Sequence, residues 1–170
     1  MHQHHAMLQA GQPAPQFSLP DSDMEPVSLA RFRGKKNVVL YFYPRDGTPG
    51  CILQATDFSD HEDEFARHEC VVVGIGPDDC LSHAEFRDAN GISIQLLSDT
   101  DRRVCEKYGV LRDDQAAGAG AGAGNRQGKS TITRTTFVID KKGIIQHAIY
   151  NTNPRGHALD VLDLVRTTFR

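Results

Sequence analysis

Residues 37–51 read NVVLYFYPRDGTPGC, and this stretch decides the fold. The seven residues 37–43 are almost all β-branched, aromatic or aliphatic, a composition typical of a central strand that is buried on both faces. Pro44 ends the strand, and the turn-rich residues 45–50 follow it. A helix is predicted over about residues 50–68, because Cys51, Ala55, Phe58 and Phe65 recur on one helical face. This helix is therefore expected to pack on a sheet, with Cys51 at its N-terminal end.

The remainder of the chain alternates strands with helices. Strands are predicted at residues 16–19, 70–75 and 94–97. A helix that runs to Asn90 and is closed by Gly91 follows the second of these strands, and a short helix that ends at residues 108–109 follows the third. This alternation favours parallel pairing with helices on both faces of the sheet. Residues 133–140 and 144–150 are predicted to form a hairpin, followed by a helix over residues 155–169 with Leu159, Leu162 and Val165 on its apolar stripe. The fold class expected is α/β with a central mixed sheet.

Length and charge exclude several classes of function. The chain has 170 residues, a length typical of one domain, and a net charge of −3, which argues against nucleic-acid binding. No apolar run approaches the ~20 residues needed to cross a bilayer, so no membrane association is expected. Residues 1–10 are predicted to be a disordered tail and residues 11–170 the domain; the tail lacks the apolar middle of a secretory signal, which favours a cytoplasmic location.

The Ala/Gly-rich segment around residues 113–130 is the only low-complexity part of the chain, and a flexible loop is expected there. The segment ends in Gly128-Lys129-Ser130, as a phosphate-binding loop would. The glycine that such a loop requires five positions earlier is missing, because Ala123 stands there. No nucleotide, metal or other cofactor is therefore expected.

Four cysteines are present, and none forms a Cys-x-x-Cys pair. Cys51 is singled out because the partial positive charge of a helix N-terminus stabilises a thiolate there. Thr48 supplies a hydroxyl near the sulfur, and Pro44 rigidifies the loop. The alternative is a buried cysteine with a purely structural role. The histidines 61, 68, 83, 147 and 157 lack metal-ligand spacing, and each is expected to be a surface or capping residue.

The motif Pro44-x-x-x-Thr48-x-x-Cys51 resembles the active-site signature of peroxiredoxins. The wider phrase YFYPRDGTPGC is similar to that of the Q-type subgroup, also called bacterioferritin comigratory protein. Further segments that follow the family's pattern are APQFSLPDSD, VVVGIGPDDCLSHAEF, SDTDRRVCEKYGV and TRTTFVIDKKG. The resemblance covers nearly the whole chain.

This resemblance implies a thioredoxin-like fold and a thiol-dependent peroxidase that reduces hydrogen peroxide and organic hydroperoxides. Cys51 would be the peroxidatic nucleophile, with Thr48 and Pro44 in its pocket. Arg134, just before TTFVID, matches the family's active-site arginine, which favours the thiolate and stabilises charge on the peroxide oxygens. Cys51 would become a sulfenic acid and be reduced by thioredoxin, glutaredoxin or a small thiol. A monomer is expected. A redox-sensing or chaperone module on the same fold is the alternative function.

The chain departs from the family's pattern where a second, resolving thiol is often found. Thr56 occupies the position five residues after Cys51, and Arg87 occupies the alternative position in the following helix. Gln54 stands where the family often has glutamate. Four routes of resolution stay open: an external thiol in a one-cysteine cycle, Cys80, Cys105, or pairing between two molecules. Cys70 and Cys105 are interpreted first as small buried hydrophobic residues.

Overall fold

The computed structural model describes residues 7–112 and 131–169, and its main sheet has five strands. Three of its strands, β3 (Asn37–Phe42), β4 (Cys70–Gly76) and β5 (Gln95–Ser98), pair in parallel in the order β5-β4-β3, with β5 at the edge of the sheet. The hairpin of β8 (Thr135–Ile139) and β9 (Ile145–Tyr150) is added antiparallel on the other side of β3. The predicted mixed α/β sheet, its parallel pairing and the C-terminal hairpin are thus confirmed.

Two small antiparallel ladders flank this sheet. The first joins β1 (Ser18–Pro20) to β2 (Pro26–Ser28), which leads into a 3₁₀-helix at Leu29–Phe32. The second joins β6 (Leu111–Arg112) to β7 (Thr131–Ile132). The predicted flexible loop between β6 and β7 lies outside the described residues.

The described residues also form five α-helices: α1 (Pro49–Asp60), α2 (Glu62–Ala66), α3 (Cys80–Asn90), α4 (Arg103–Lys107) and α5 (His157–Thr168). None of the helices in residues 7–112 and 131–169 is long and apolar enough to span a bilayer. The single helix predicted over residues 50–68 is wrong, because α1 ends before His61. The His61 ring nitrogen Nδ1 lies 2.9 Å from the Asp57 carbonyl, which a continuing helix would pair with the His61 amide.

The two faces of the sheet are covered by different elements. Helices α1, α2, α3 and α5 pack on one face, around Tyr41, Phe58 and Phe65. Helix α4 and the two small ladders pack on the other face, around Phe42, Tyr108 and Phe137. All six residues of β3 are buried, as its composition predicts for a central strand.

Two predictions at the chain ends differ from the structure. The stripe that α5 buries consists of Ala158, Val161, Leu162 and Val165, whereas Leu159 is half exposed, so its predicted place in the core is wrong. The four buried residues have the spacing i, i+3, i+4 and i+7, which places them on one face of the helix, and Leu159 does not fit this spacing. At the other end, Leu8 packs against the core and its carbonyl accepts a hydrogen bond from the Tyr150 hydroxyl at 3.0 Å, within the range predicted to be a tail.

Candidate active site

The loop between β3 and α1 places Cys51 in the first turn of the helix. Gly47 has φ +81°, a conformation that favours glycine, and it lets the chain turn back towards the sheet. Pro49 begins α1, and the Thr48 carbonyl accepts the Ile52 N–H at 2.9 Å. The Thr48 hydroxyl makes no capping bond to the helix. The first N–H groups of α1 therefore keep their partial positive charge beside Cys51, which is only 2 % exposed.

Arg134 contacts the sulfur directly. It lies between β7 and β8, and its Nη2 donates to Cys51 Sγ at 3.3 Å. Its Nη1 donates to Gln54 Oε1 at 3.0 Å, and its carbonyl accepts the Thr152 N–H at 3.0 Å. The guanidinium thus places a permanent positive charge against the sulfur. The contact joins two residues that are 83 positions apart in the sequence.

Gly50 makes room for the guanidinium. A Cβ atom at this position would lie 2.8 Å from Arg134 Nη2 and 3.3 Å from Pro154 Cγ. Contacts near 2.8 Å are not tolerated by real Cβ atoms, so any larger residue would displace Arg134. The glycine therefore lets the end of the Arg134 side chain lie against the start of α1 at its contact distance from the sulfur.

Three buried polar atoms near the thiol lack a hydrogen-bond partner among the residues that the structure describes. They are Thr48 Oγ1, Gln54 Nε2 and the Tyr41 hydroxyl. Burial raises the pKa of Tyr41 well above its usual value, and the nearby Cys51 sulfur adds to this effect, so Tyr41 stays neutral. A buried polar group without a partner costs roughly 1–3 kcal/mol. A pocket that retains such groups next to the Cys51 sulfur suits a small ligand with both donor and acceptor oxygens.

The other cysteines lie in different environments. Cys70, at the start of β4, is buried, and burial raises its pKa to about 12. Cys105 belongs to the core on the opposite face of the sheet from Cys51, and burial, with the Asp99 carboxylate, raises its pKa. Cys80 is partly exposed at the first residue of α3, and all four thiols are free. The structure thus brings Thr48 and Arg134 to Cys51 but does not bring Cys105 there.

Two of the histidines contradict the expectation of surface or capping roles. His83 is fully buried and contacts Asp46 and the Leu97 carbonyl. His157 is 5 % exposed, its Nε2 lies 2.8 Å from Thr136 Oγ1, and burial lowers its pKa. Both rings are buried because each has a polar partner inside the fold, which compensates for the loss of water.

Sequence reasoning also missed some polar neighbours of the site. Gln54 was noted only as a departure from a family pattern, although its spacing of three residues from Cys51 puts both on one helical face. Asp46 gave no signal, because an aspartate in a polar turn is ordinary. Its contacts to α3 depend on the pairing of distant segments.

The fold and this site together define a class of protein: a peroxidase that works by cysteine chemistry on a thioredoxin-like sheet. The model of the AhpC/TSA family matches residues 10–148, and the chain belongs to this family. The chain is 44 % identical over 150 residues to a putative peroxiredoxin of Mycobacterium tuberculosis, covering 88 % of this chain and 90 % of that protein. It is 40 % identical over 157 residues to the putative peroxiredoxin bcp of Coxiella burnetii, covering 91 % and 97 %.

A solved structure gives the same assignment. Peroxiredoxin Q of Xanthomonas campestris superposes with a TM-score of 0.81 at 27 % identity, over 91 % of this chain and 92 % of that chain. The chain is thus similar to the Q-type, or bcp, peroxiredoxins, as its motifs predicted. It is a thiol-dependent peroxidase that acts on a hydroperoxide and is reduced by a thiol. The family does not favour the redox-sensing or chaperone alternative.

Proposed function

We propose that Cys51 is the peroxidatic nucleophile and that Pro44, Thr48 and Arg134 form its pocket. The observation that carries this proposal is the 3.3 Å contact from Arg134 Nη2 to Cys51 Sγ. The sulfur is the one thiol in the described part of the chain that has both a guanidinium and the start of a long helix beside it. Pro44 lies two residues after the last residue of β3, in the loop that holds Thr48.

The proposed chemical step uses the thiolate as nucleophile. The Cys51 sulfur attacks one oxygen of the hydroperoxide, the O–O bond breaks, and the other oxygen leaves as water or an alcohol after taking up a proton. The sulfur ends as a sulfenic acid, oxidised by two electrons. Arg134 stabilises the negative charge that moves onto the leaving oxygen, and the unpartnered Thr48 hydroxyl holds the peroxide in line with the sulfur.

A second thiol then attacks the sulfenic sulfur, with loss of water, to give a disulfide, and a further thiol reduces this disulfide by exchange and returns Cys51 to the free thiol. We propose either an external thiol or Cys80 as the second thiol. Cys80 is partly exposed at the start of α3, so a modest opening of the first turns of α1 and α3 would free both sulfurs. Cys105 is a weaker candidate, because the sheet separates it from Cys51.

The proposal also names the reductant of the enzyme, its cellular compartment and its oligomeric state. The reductant proposed is thioredoxin, with glutaredoxin or a small thiol as the other members of this chemical class. A cytoplasmic location fits four free cysteines, since a reducing compartment keeps thiols reduced. The chain is proposed to act as a monomer.

Peroxide consumption in the presence of thioredoxin, thioredoxin reductase and NADPH tests the proposal. Cys51→Ser is expected to abolish turnover, whereas the control Cys70→Ala keeps it, because the Cys70 thiol stays protonated at neutral pH. Turnover by Cys51→Ser would refute Cys51 as the nucleophile. Non-reducing peptide mapping after one equivalent of peroxide then identifies the second thiol: a peptide linking Cys51 to Cys80 supports an internal cycle, and a lone sulfenic adduct supports an external thiol.

A further inference from the structure

A buried hydrogen-bonded pair, Asp46 and His83, joins the active-site loop to helix α3. The Asp46 carboxylate accepts the Tyr43 hydroxyl at 2.8 Å through Oδ1 and the Ser82 hydroxyl at 2.8 Å through Oδ2. The same Oδ2 lies 2.6 Å from His83 Nδ1. The His83 side chain is 0 % exposed and that of Asp46 only 7 %. The chemistry proposed for Cys51 uses neither residue, so their burial needs another reason.

Counting protons shows that the pair holds one proton between its two side chains. His83 Nε2 lies 3.0 Å from the Leu97 carbonyl, which only accepts, so Nε2 carries a hydrogen. At 2.6 Å, Nδ1 and Oδ2 also need a hydrogen between them, since two lone pairs would repel. The pair is therefore neutral as a unit, whichever atom holds the shared proton. Removing this proton would leave a buried negative charge and break the contact.

Asp46 is anchored through its backbone as well. Its N–H donates to Asp78 Oδ2 at 2.6 Å, in the connection between β4 and α3. Asp46 lies two residues before Thr48 and five before Cys51. The loop is thus bound to the segment 78–83 through the main chain and the side chain of one residue. Among the described residues, the titratable groups that face this pair are Tyr43 directly after β3 and Asp78 from the β4–α3 connection, with Tyr41 on β3 and Cys51 on α1 next to them.

We infer that Asp46 and His83 are positioning residues for the peroxidase site: their shared proton holds the loop so that Thr48 and the first turn of α1 keep their place around Cys51. This inference rests on the proposed role of Cys51. Displacing aligned groups by about 1 Å costs an enzyme up to ~100-fold in rate. Loss of the pair is therefore expected to slow the attack on peroxide, while the thiol itself stays present and reactive.

The test compares two reactions of Cys51 in Asp46→Ala, His83→Ala and Asp46→Asn. The first reaction is oxidation by hydrogen peroxide, and its rate constant is measured by competition with a haem peroxidase. The second is alkylation by iodoacetamide, which needs the thiolate but no alignment of a peroxide. Both alanine variants are expected to lose about tenfold or more in the peroxide rate constant and less than about threefold in alkylation. Asp46→Asn is expected to stay near wild type, because its amide donates to a neutral His83 and replaces the shared proton.

His147→Gln is the matched control, since His147 is a partly buried histidine on the edge strand β9, with its Nε2 2.9 Å from the Thr168 hydroxyl, and both rate constants of Cys51 should be unchanged in it. Nitrogen-15 NMR of the His83 ring in the wild type supplies an independent readout. A protonated Nε2 is expected, together with an Nδ1 that either carries or accepts the shared proton; an Nε2 without a proton, or an Nδ1 that makes no hydrogen bond, overturns the proton count even where the alanine variants do not fold. Wild-type peroxide rates in both alanine variants overturn the positioning role. A wild-type chain that alkylates at Cys51 but does not react with peroxide refutes the proposed function instead.

Discussion

Replacing Arg134 with alanine removes the guanidinium that contacts Cys51. At a separation of 3.3 Å, two unit charges in a medium of effective dielectric ~20 attract each other by about 5 kcal/mol. Part of this attraction offsets the loss of water around the half-buried arginine, and losing one donor to a developing oxyanion elsewhere costs about 3–4 kcal/mol. We expect Arg134→Ala to lose about 2–4 kcal/mol of transition-state stabilisation, which is about 30- to 1000-fold in rate.

The assay is the second-order rate constant of Cys51 with hydrogen peroxide, measured by competition at fixed pH. Arg134→Lys separates charge from geometry: an ammonium keeps the charge but cannot bind Gln54 and the sulfur together, so an intermediate rate is expected. Arg103→Ala is the matched control, because this guanidinium is exposed and pairs only with Asp101. The expected loss is at least about 30-fold. A rate constant for Arg134→Ala within about threefold of wild type would therefore refute the electrostatic role of this residue.

Three further perturbations probe the pocket and the core. Thr48→Val removes a hydroxyl without a partner in the described structure, so it should cost about 10- to 100-fold in the peroxide rate constant without loss of thermal stability, whereas Thr48→Ser retains the rate. Gly50→Ala forces Arg134 to shift and should lower the same rate constant severalfold; an unchanged rate would show that the guanidinium adapts. Because burial lowers the pKa of His157 in the folded state below its ordinary value of 6.5, the unfolded chain takes up a proton first as the pH falls. The free energy of unfolding in urea should therefore decrease below about pH 6.5, and His157→Gln should flatten that decrease; equal slopes in both proteins would contradict it.

Local patterns in the sequence predicted most of the sheet. The runs at residues 37–43 and 70–75 are apolar on both faces, which is a property of buried parallel strands and depends on few distant contacts. The motif around Cys51 likewise lies within eight consecutive residues, so the helix start, the proline and the threonine were all visible in it. The break at His61 was not visible, because one ring nitrogen that binds the Asp57 carbonyl leaves the hydrophobic pattern unchanged.

Contacts between distant segments could not be predicted from pattern. Arg134 was assigned by resemblance to a family, and its distance to the sulfur depends on how β8 pairs with β3. His83 looked like an ordinary helical histidine, because its buried partner, the Asp46 carboxylate, lies 37 residues earlier in a polar turn. In both cases the partner is chosen by the sheet, which brings chain segments together at the carboxyl ends of β3 and β4.

The distribution of satisfied and unsatisfied polar groups around the loop explains how one short segment serves both stability and chemistry. On the side that faces α3, the Asp46 carboxylate has three partners and its amide has one, so that side is rigid. On the side that faces Cys51, Thr48 Oγ1 and Gln54 Nε2 are buried without a partner among the described residues. An unpaired donor on this side can form a new hydrogen bond to a peroxide oxygen as charge develops on it, in addition to the stabilisation proposed for Arg134. The free energy lost at the unpaired atoms is offset by the bonds that hold the other side of the same loop.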